Sequence, residues 1–187
     1  MGFLSLFSRK VEGSFRLLEE GEWVTLLRHI RRLPDDQVYA RFLSDMTDEA
    51  LVRWAKASQF NDVIGWFVEG HLRGTVEVGY RGERAECGVT VEDEFRATRV
   101  GRQLFHKACA QARSQGATSM AMLTECQGER DTRTIASHPG WEISRCYARS
   151  IILPHAEPEH PLWLIRDLSH RPSLLRRLMP GEAAIQD

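Results

Sequence analysis

Between Arg84 and Thr124 the chain reads as an apolar strand, a short polar turn, an amphipathic helix and a second apolar strand. That succession leaves little choice of fold. Two strands joined through a helix pair in parallel, because the helix carries the chain back to the end of the sheet it left, and such a crossover is right-handed. The helix is expected over Val100 to Gln115. Val100, Leu104, Phe105, Ala108 and Ala112 form its buried stripe, and Gly116 is its stop. The strands are Arg84 to Val91 and Ser119 to Thr124. Upstream, Val63 to Val68 and His71 to Val78 are joined to the first of these by Gly70 and by the turn Tyr80-Arg81-Gly82-Glu83. This is the spacing of an antiparallel meander. The fold class is therefore α/β (α+β), a mixed, mostly antiparallel sheet flanked by helices.

The remaining segments fit round this centre. Phe15 to Leu18 is a short first strand. Glu22 to Arg32 is a helix with Trp23, Leu26, Leu27 and Ile30 at helical spacing, ended by Pro34. Asp35 or Asp36 caps a further helical piece through Val38, Tyr39 and Phe42, and Thr47 opens another with Ala50, Leu51, Trp54 and Ala55 on one face. Glu129 to His138 is a short helix stopped by Pro139-Gly140, and Trp141 to Ile152 is the last strand. Three parts result: an extension over 1–14, a domain over 15–153 and a C-terminal extension over 154–187. That extension carries Pro154, Pro158 and Pro161, then a Trp163 run suited to an edge strand, then Leu174, Leu175, Leu178 and Met179 in a short amphipathic helix. A tail this apolar packs on its own domain or on a second copy of the chain, which makes a homodimer an expectation.

Composition excludes several functions. The 25 basic and 26 acidic residues leave a net charge of −1, without the basic footprint of a general nucleic-acid binder. Cys87, Cys109, Cys126 and Cys146 contain no two-residue spacing and the seven histidines no His-x-x-x-His, so no metal is expected. The thiols read as buried and reduced, as in a cytoplasmic protein. No apolar run approaches the ~20 residues of a transmembrane segment. Met1 to Lys10 is apolar, then basic; it reads as a frayed or locally packed terminus before a weak membrane anchor.

The chemistry concentrates at the turn Arg96-Ala97-Thr98-Arg99-Val100-Gly101-Arg102. Unpaired amides and the helix dipole make such a helix start an anion site. Gly101 permits close approach, and Arg96, Arg99 and Arg102 add charge-assisted contacts. The plainer reading is a solvated helix start capped by Thr98. Ten residues before Arg96, Glu86 shares one strand face with Gly88 and Thr90, while Ala85, Cys87, Val89 and Val91 share the apolar face beneath the helix. A carboxylate on the opposite face of this strand suits a general base. The plainer reading pairs it with Arg73 or Arg84.

The turn resembles motif A of the GNAT (Gcn5-related N-acetyltransferase) superfamily, Gln/Arg-x-x-Gly-x-Gly/Ala. Arg96 and Gly101 match, and Arg99 stands where the middle glycine is usual. Ala85-Glu86 resembles the Ala-Glu pair of the protein-lysine acetyltransferase branch. The order β-α-α-β-β-β-α-β-α-β is similar to that of the family over about 15–153, with Gly140-Trp141 in the place of its Gly-Phe. The resemblance implies acetyl-CoA as co-substrate, no metal, and direct attack by a primary amine in a ternary complex. The acceptor would be a protein lysine or a small amine. It implies Glu86 as base. Val89, Thr90 and Val91 would lie along the pantetheine arm and thioester, with the Val89 N–H at the oxyanion. Arg96, Ala97, Thr98, Arg99, Val100, Gly101 and Arg102 would lie round the pyrophosphate. The family's usual acid, a tyrosine four residues before the glycine, is Ala136 here, so no acid is assigned. The alternative is a degenerate domain that binds acyl-CoA as a sensor or scaffolds a partner without catalysis.

Overall fold

A computed structural model describes residues 11–125, 141–144, 152 and 161–169. Its strands are β1 Ser14–Leu17, β2 Asp62–Val68, β3 His71–Arg81, β4 Arg84–Val91, β5 Ser119–Glu125, β6 Trp141–Ser144 and β7 Pro161–Asp167. They form one seven-stranded sheet in the order β1-β2-β3-β4-β5-β7-β6. The β2–β4 meander is antiparallel, as its short turns require, and β1 pairs antiparallel with β2. Among the described residues the single parallel pair is β4 with β5, the pair joined by helix α4, Val100–Ser114. The crossover argument thus holds, and the helix ends one residue before Gln115, its expected last residue.

Three further helices precede the meander: α1 Trp23–Ile30, α2 Asp35–Phe42 and α3 Asp48–Ala57. Thr47 caps α3, its hydroxyl accepting the Ala50 N–H at 3.3 Å. Neither Asp35 nor Asp36 caps α2. Pro34 occupies the cap, and both aspartates fall in the first turn, where their charge favours the positive end of the dipole.

The alternation along β4 divides the core. Ala85, Cys87 and Val91 pack with Val76, Val78, Met120 and the α4 stripe of Val100, Leu104, Phe105, Ala108 and Ala112. Leu27, Ile30, Leu33, Phe42, Leu51 and Ala55 form a separate cluster among α1 to α3, on the other side of the sheet. Cys87 is fully buried, and burial pushes its thiol well above the ordinary range.

The Trp163 run does form a strand, but not an edge strand. β7 lies between β5 and β6, pairing with both. Trp141–Ser144, expected to begin the last strand of the domain, holds the edge instead. The helices expected over Glu129 to His138 and over Leu174 to Met179 lie outside the described residues. Among the described residues no helix is long and apolar enough to cross a membrane.

Candidate active site

β4 and β5 pair only from Arg84↔Ser119 to Glu86↔Ala121. β4 runs on to Val91 and β5 to Glu125, so among the described residues the two strands stop pairing there and leave a wedge. A cavity of about 340 Å³ occupies it. Its wall includes the β4 residues Glu86 to Val91, Met122 of β5, Gln37 and Arg41 of α2, and Arg96 and Gly101 at the start of α4. Backbone N–H groups alternate sides along a strand. The Glu92 N–H donates to Arg73 C=O on the β3 side, at 3.0 Å. Those of Gly88 and Thr90 therefore share that side, while those of Val89 and Val91 face the unpaired wedge.

The polar turn ends this wedge. Asp93–Thr98 is a short 3-10 helix, and Arg99 then takes φ 65°, in the left-handed region, before α4 begins. Thr98 is not the cap of α4. Its hydroxyl donates to Phe95 C=O at 2.6 Å, and α4 has no side-chain cap. Its first-turn amides keep their donors. A Cβ at Gly101 would meet only Val91, at 3.7 Å. Packing within the protein thus does not demand glycine there, whereas close approach of a ligand would. Arg96 is exposed, with one bond to Asp93 at 3.3 Å. Arg99 and Arg102 are exposed beside it and Val100 is buried in the core. Of the residues singled out in the sequence, the cavity gathers Glu86, Val89, Thr90, Val91, Arg96 and Gly101. Thr98, Arg99, Val100 and Arg102 stand outside its wall.

Glu86 is on the face opposite the α4 core and has no exposed surface. Arg84 Nη2 lies 3.8 Å from its Oε2. Arg73, the other partner considered for it, pairs with Glu92 instead. The carboxylate is shielded from bulk water while standing in the cavity wall.

Beside it is an ion pair that sequence reasoning missed. Arg41 of α2 bonds Glu77 of β3, and each side chain is 4 % exposed. Glu77 also accepts from Ser58 Oγ and Asn61 Nδ2, each at 2.8 Å, and from Trp54 Nε1 at 3.2 Å. Four donors thus compensate one buried carboxylate. The guanidinium reaches Glu77 by lying across Gly88. A Cβ there would stand 2.6 Å from Arg41 Nε, so only glycine leaves the passage. The one signal in the sequence is an arginine in the otherwise apolar run Tyr39-Ala40-Arg41-Phe42.

A second network, equally unforeseen, backs Thr90. Glu92 accepts from Arg32 Nε at 2.9 Å and Nη2 at 2.7 Å, from Arg73 Nη1 at 2.8 Å, and meets His29 Nδ1 at 3.2 Å. Burial raises the Glu92 carboxyl, but these hydrogen bonds outweigh it and hold its pKa at about 2. His29 Nε2 meets Thr90 Oγ1 at 2.9 Å, and Thr90 Oγ1 meets Thr75 Oγ1 at 2.8 Å. His29 is fully buried. Burial lowers its pKa, against the raising effect of the Glu92 bond. Among the described residues no cluster of His, Cys, Asp or Glu is arranged to hold a metal ion.

The fold is similar to that of solved acetyltransferases. The GNAT domain of PAT from S. lividans superposes with TM-score 0.64 at 15 % identity, covering 83 % of this chain and 90 % of that one. PaiA N-acetyltransferase from Thermoplasma acidophilum, solved in complex with coenzyme A, gives 0.60 at 15 %, covering 83 % and 99 %. YncA from Salmonella typhimurium, a putative acetyltransferase solved with its cofactor acetyl-CoA, gives 0.60 at 15 %, covering 92 % and 99 %. No curated protein matches the chain by sequence. The family model of the acetyltransferase (GNAT) family matches residues 25–138, a span that holds the meander, the wedge and the turn into α4, and the chain belongs to that family.

Proposed function

We propose that the protein transfers the acetyl group of acetyl-CoA to a primary amine by direct attack in a ternary complex. The observation that carries this reading is the wedge between β4 and β5, open at the N-terminus of α4. The residues fit the co-substrate: uncapped α4 amides and Arg96 suit a pyrophosphate, and strand amides turned toward the wedge suit a thioester arm. Acetyl-CoA supplies the acetyl group as a thioester. In this reading the Val89 N–H donates to the carbonyl oxygen as charge develops on it, a contribution of roughly 10²–10³ in rate. Thr90 and Val91 line the pantetheine arm. Arg96, Ala97, Thr98, Arg99, Val100, Gly101 and Arg102 surround the phosphates. Glu86 takes a proton from the entering ammonium. A protein lysine and a small amine both meet these needs.

Acetyl-CoA at ~100 times its dissociation constant raises stability by about 2.7 kcal/mol, read as a higher melting temperature. A thiol-release screen with amines and lysine peptides then shows CoA formed only when an acceptor is present. An unmoved melting curve would remove the co-substrate. Binding without thiol release from any amine would favour a sensor.

Arg99→Gly has opposite effects on two measurements. It relieves a left-handed arginine, a cost of about 1–2 kcal/mol, against roughly 0.5–1 kcal/mol of extra freedom in the unfolded chain, so stability rises slightly. It also removes a charged phosphate donor, so CoA affinity falls by about 1.5–3 kcal/mol. Tighter CoA binding by the variant would take Arg99 out of the phosphate set.

A further inference from the structure

Hydrogen-bond polarity in the Glu92–His29–Thr90 chain is set by its acceptors: Glu92, and the Leu72 C=O that also bonds the imidazole, can only accept. Glu92 is ionised and therefore accepts only. His29 Nδ1, facing it at 3.2 Å, must carry the ring proton. Burial favours the neutral imidazole, in which Nε2 is a bare acceptor, and the group 2.9 Å from it, Thr90 Oγ1, then donates. Thr75 Oγ1 must then donate to Thr90 Oγ1. A hydroxyl oxygen has two lone pairs. One takes the Thr75 proton, and none of these bonds uses the other. Thr90 lines the cavity, between the two residues whose amides face the wedge. The charges packed round the imidazole are Arg32 just past the end of α1, Arg73 from β3 and Glu92 beyond β4. A negative charge thus stands directly behind a ring that would become positive.

We propose that Thr90 carries a proton between the attacking nitrogen and the departing sulfur, with His29 and Glu92 acting through it. The inference rests on the acetyl transfer proposed above. An ammonium acceptor loses two protons on becoming an amide. The first leaves before attack, to Glu86 and then to solvent. The second leaves as the C–N bond forms: Thr90 Oγ1 accepts it while the hydroxyl's own proton passes to His29 Nε2. The imidazolium is stabilised by Glu92. As the C–S bond breaks, the same route reverses and the proton ends on the CoA thiolate. Nothing is oxidised or reduced, and the products are the amide and the free thiol. This supplies the acid that the absent tyrosine would otherwise provide.

The test uses the full chain. Thr90→Val, equal in shape, is expected to lower kcat by about 10² with KM for acetyl-CoA unchanged. Thr90→Ser is expected to restore most of it. Thr75→Val disturbs the same buried cluster but leaves Thr90 its hydroxyl and its His29 acceptor, so its kcat falls far less than that of Thr90→Val. Nitrogen NMR of histidine-labelled wild-type protein is expected to show His29 protonated at Nδ1 and bare at Nε2. An unchanged kcat in Thr90→Val, no recovery in Thr90→Ser, or a proton on Nε2 would each overturn the relay. A wild-type protein that releases no thiol with any amine sinks the acetyl transfer itself, while the tautomer measurement still judges the chain of bonds.

Discussion

Replacing Glu86 by glutamine lowers turnover by roughly 10²–10⁴, the range of a lost general base, and leaves acetyl-CoA affinity unchanged. The side chain stands on the sheet face opposite the α4 core, in the wall of the wedge and without exposed surface. A carboxylate placed so meets the surroundings through the cavity whose wall it forms. Glutamine keeps the shape and the hydrogen-bonding reach but cannot hold the proton. The affinity is spared because the proposed phosphate contacts lie ten residues on, round the start of α4. Steady-state rates on an active amine, with calorimetry of CoA binding, check both halves. Wild-type turnover by Glu86→Gln would make the residue a structural partner of Arg84.

Arg41→Met destabilises the protein by about 3–5 kcal/mol, the cost of leaving a buried charge without its partner. Glu77 would keep three neutral donors, from Trp54, Ser58 and Asn61, but lose its only cation among the described residues. Methionine matches the stem of arginine and still passes over Gly88, so packing is largely spared and the loss reports charge. The double variant Arg41→Met with Glu77→Met is expected to recover most of the stability, because removing both partners of a buried pair is often neutral. Urea unfolding of the two variants measures it. A single variant as stable as the wild type would show that the donors from Trp54, Ser58 and Asn61 suffice for Glu77.

The local elements were legible because their signals are local. The α4 stripe repeats every three or four residues and the β4 faces alternate every two. Both therefore announced themselves, as did the parallel pair that a helical crossover forces on β4 and β5. The ordering of β7 was not legible. An apolar run such as the one round Trp163 states that it will pair, not with what, and pairing with β5 and β6 spans a separation that no short pattern encodes. The caps show the same limit. Thr47 followed the rule, whereas Thr98 spent its hydroxyl on Phe95 C=O, a choice made by turn geometry.

For the site, the sequence by itself determined the turn proposed to bind phosphate, the face on which Glu86, Gly88 and Thr90 lie, and the family resemblance that Arg96 and Gly101 carry. Those follow from residue type and short spacing. Tertiary structure alone decided what stands on that face. His29 lies 61 residues from Thr90 and Arg41 lies 36 from Glu77. A histidine or arginine on an amphipathic helix reads as packing until its partner is in view. The physical reason is that charge and hydrogen-bond polarity are properties of pairs. In the proposed relay Thr90 acts as donor to an imidazole only because Glu92, two residues on, claims that ring's proton.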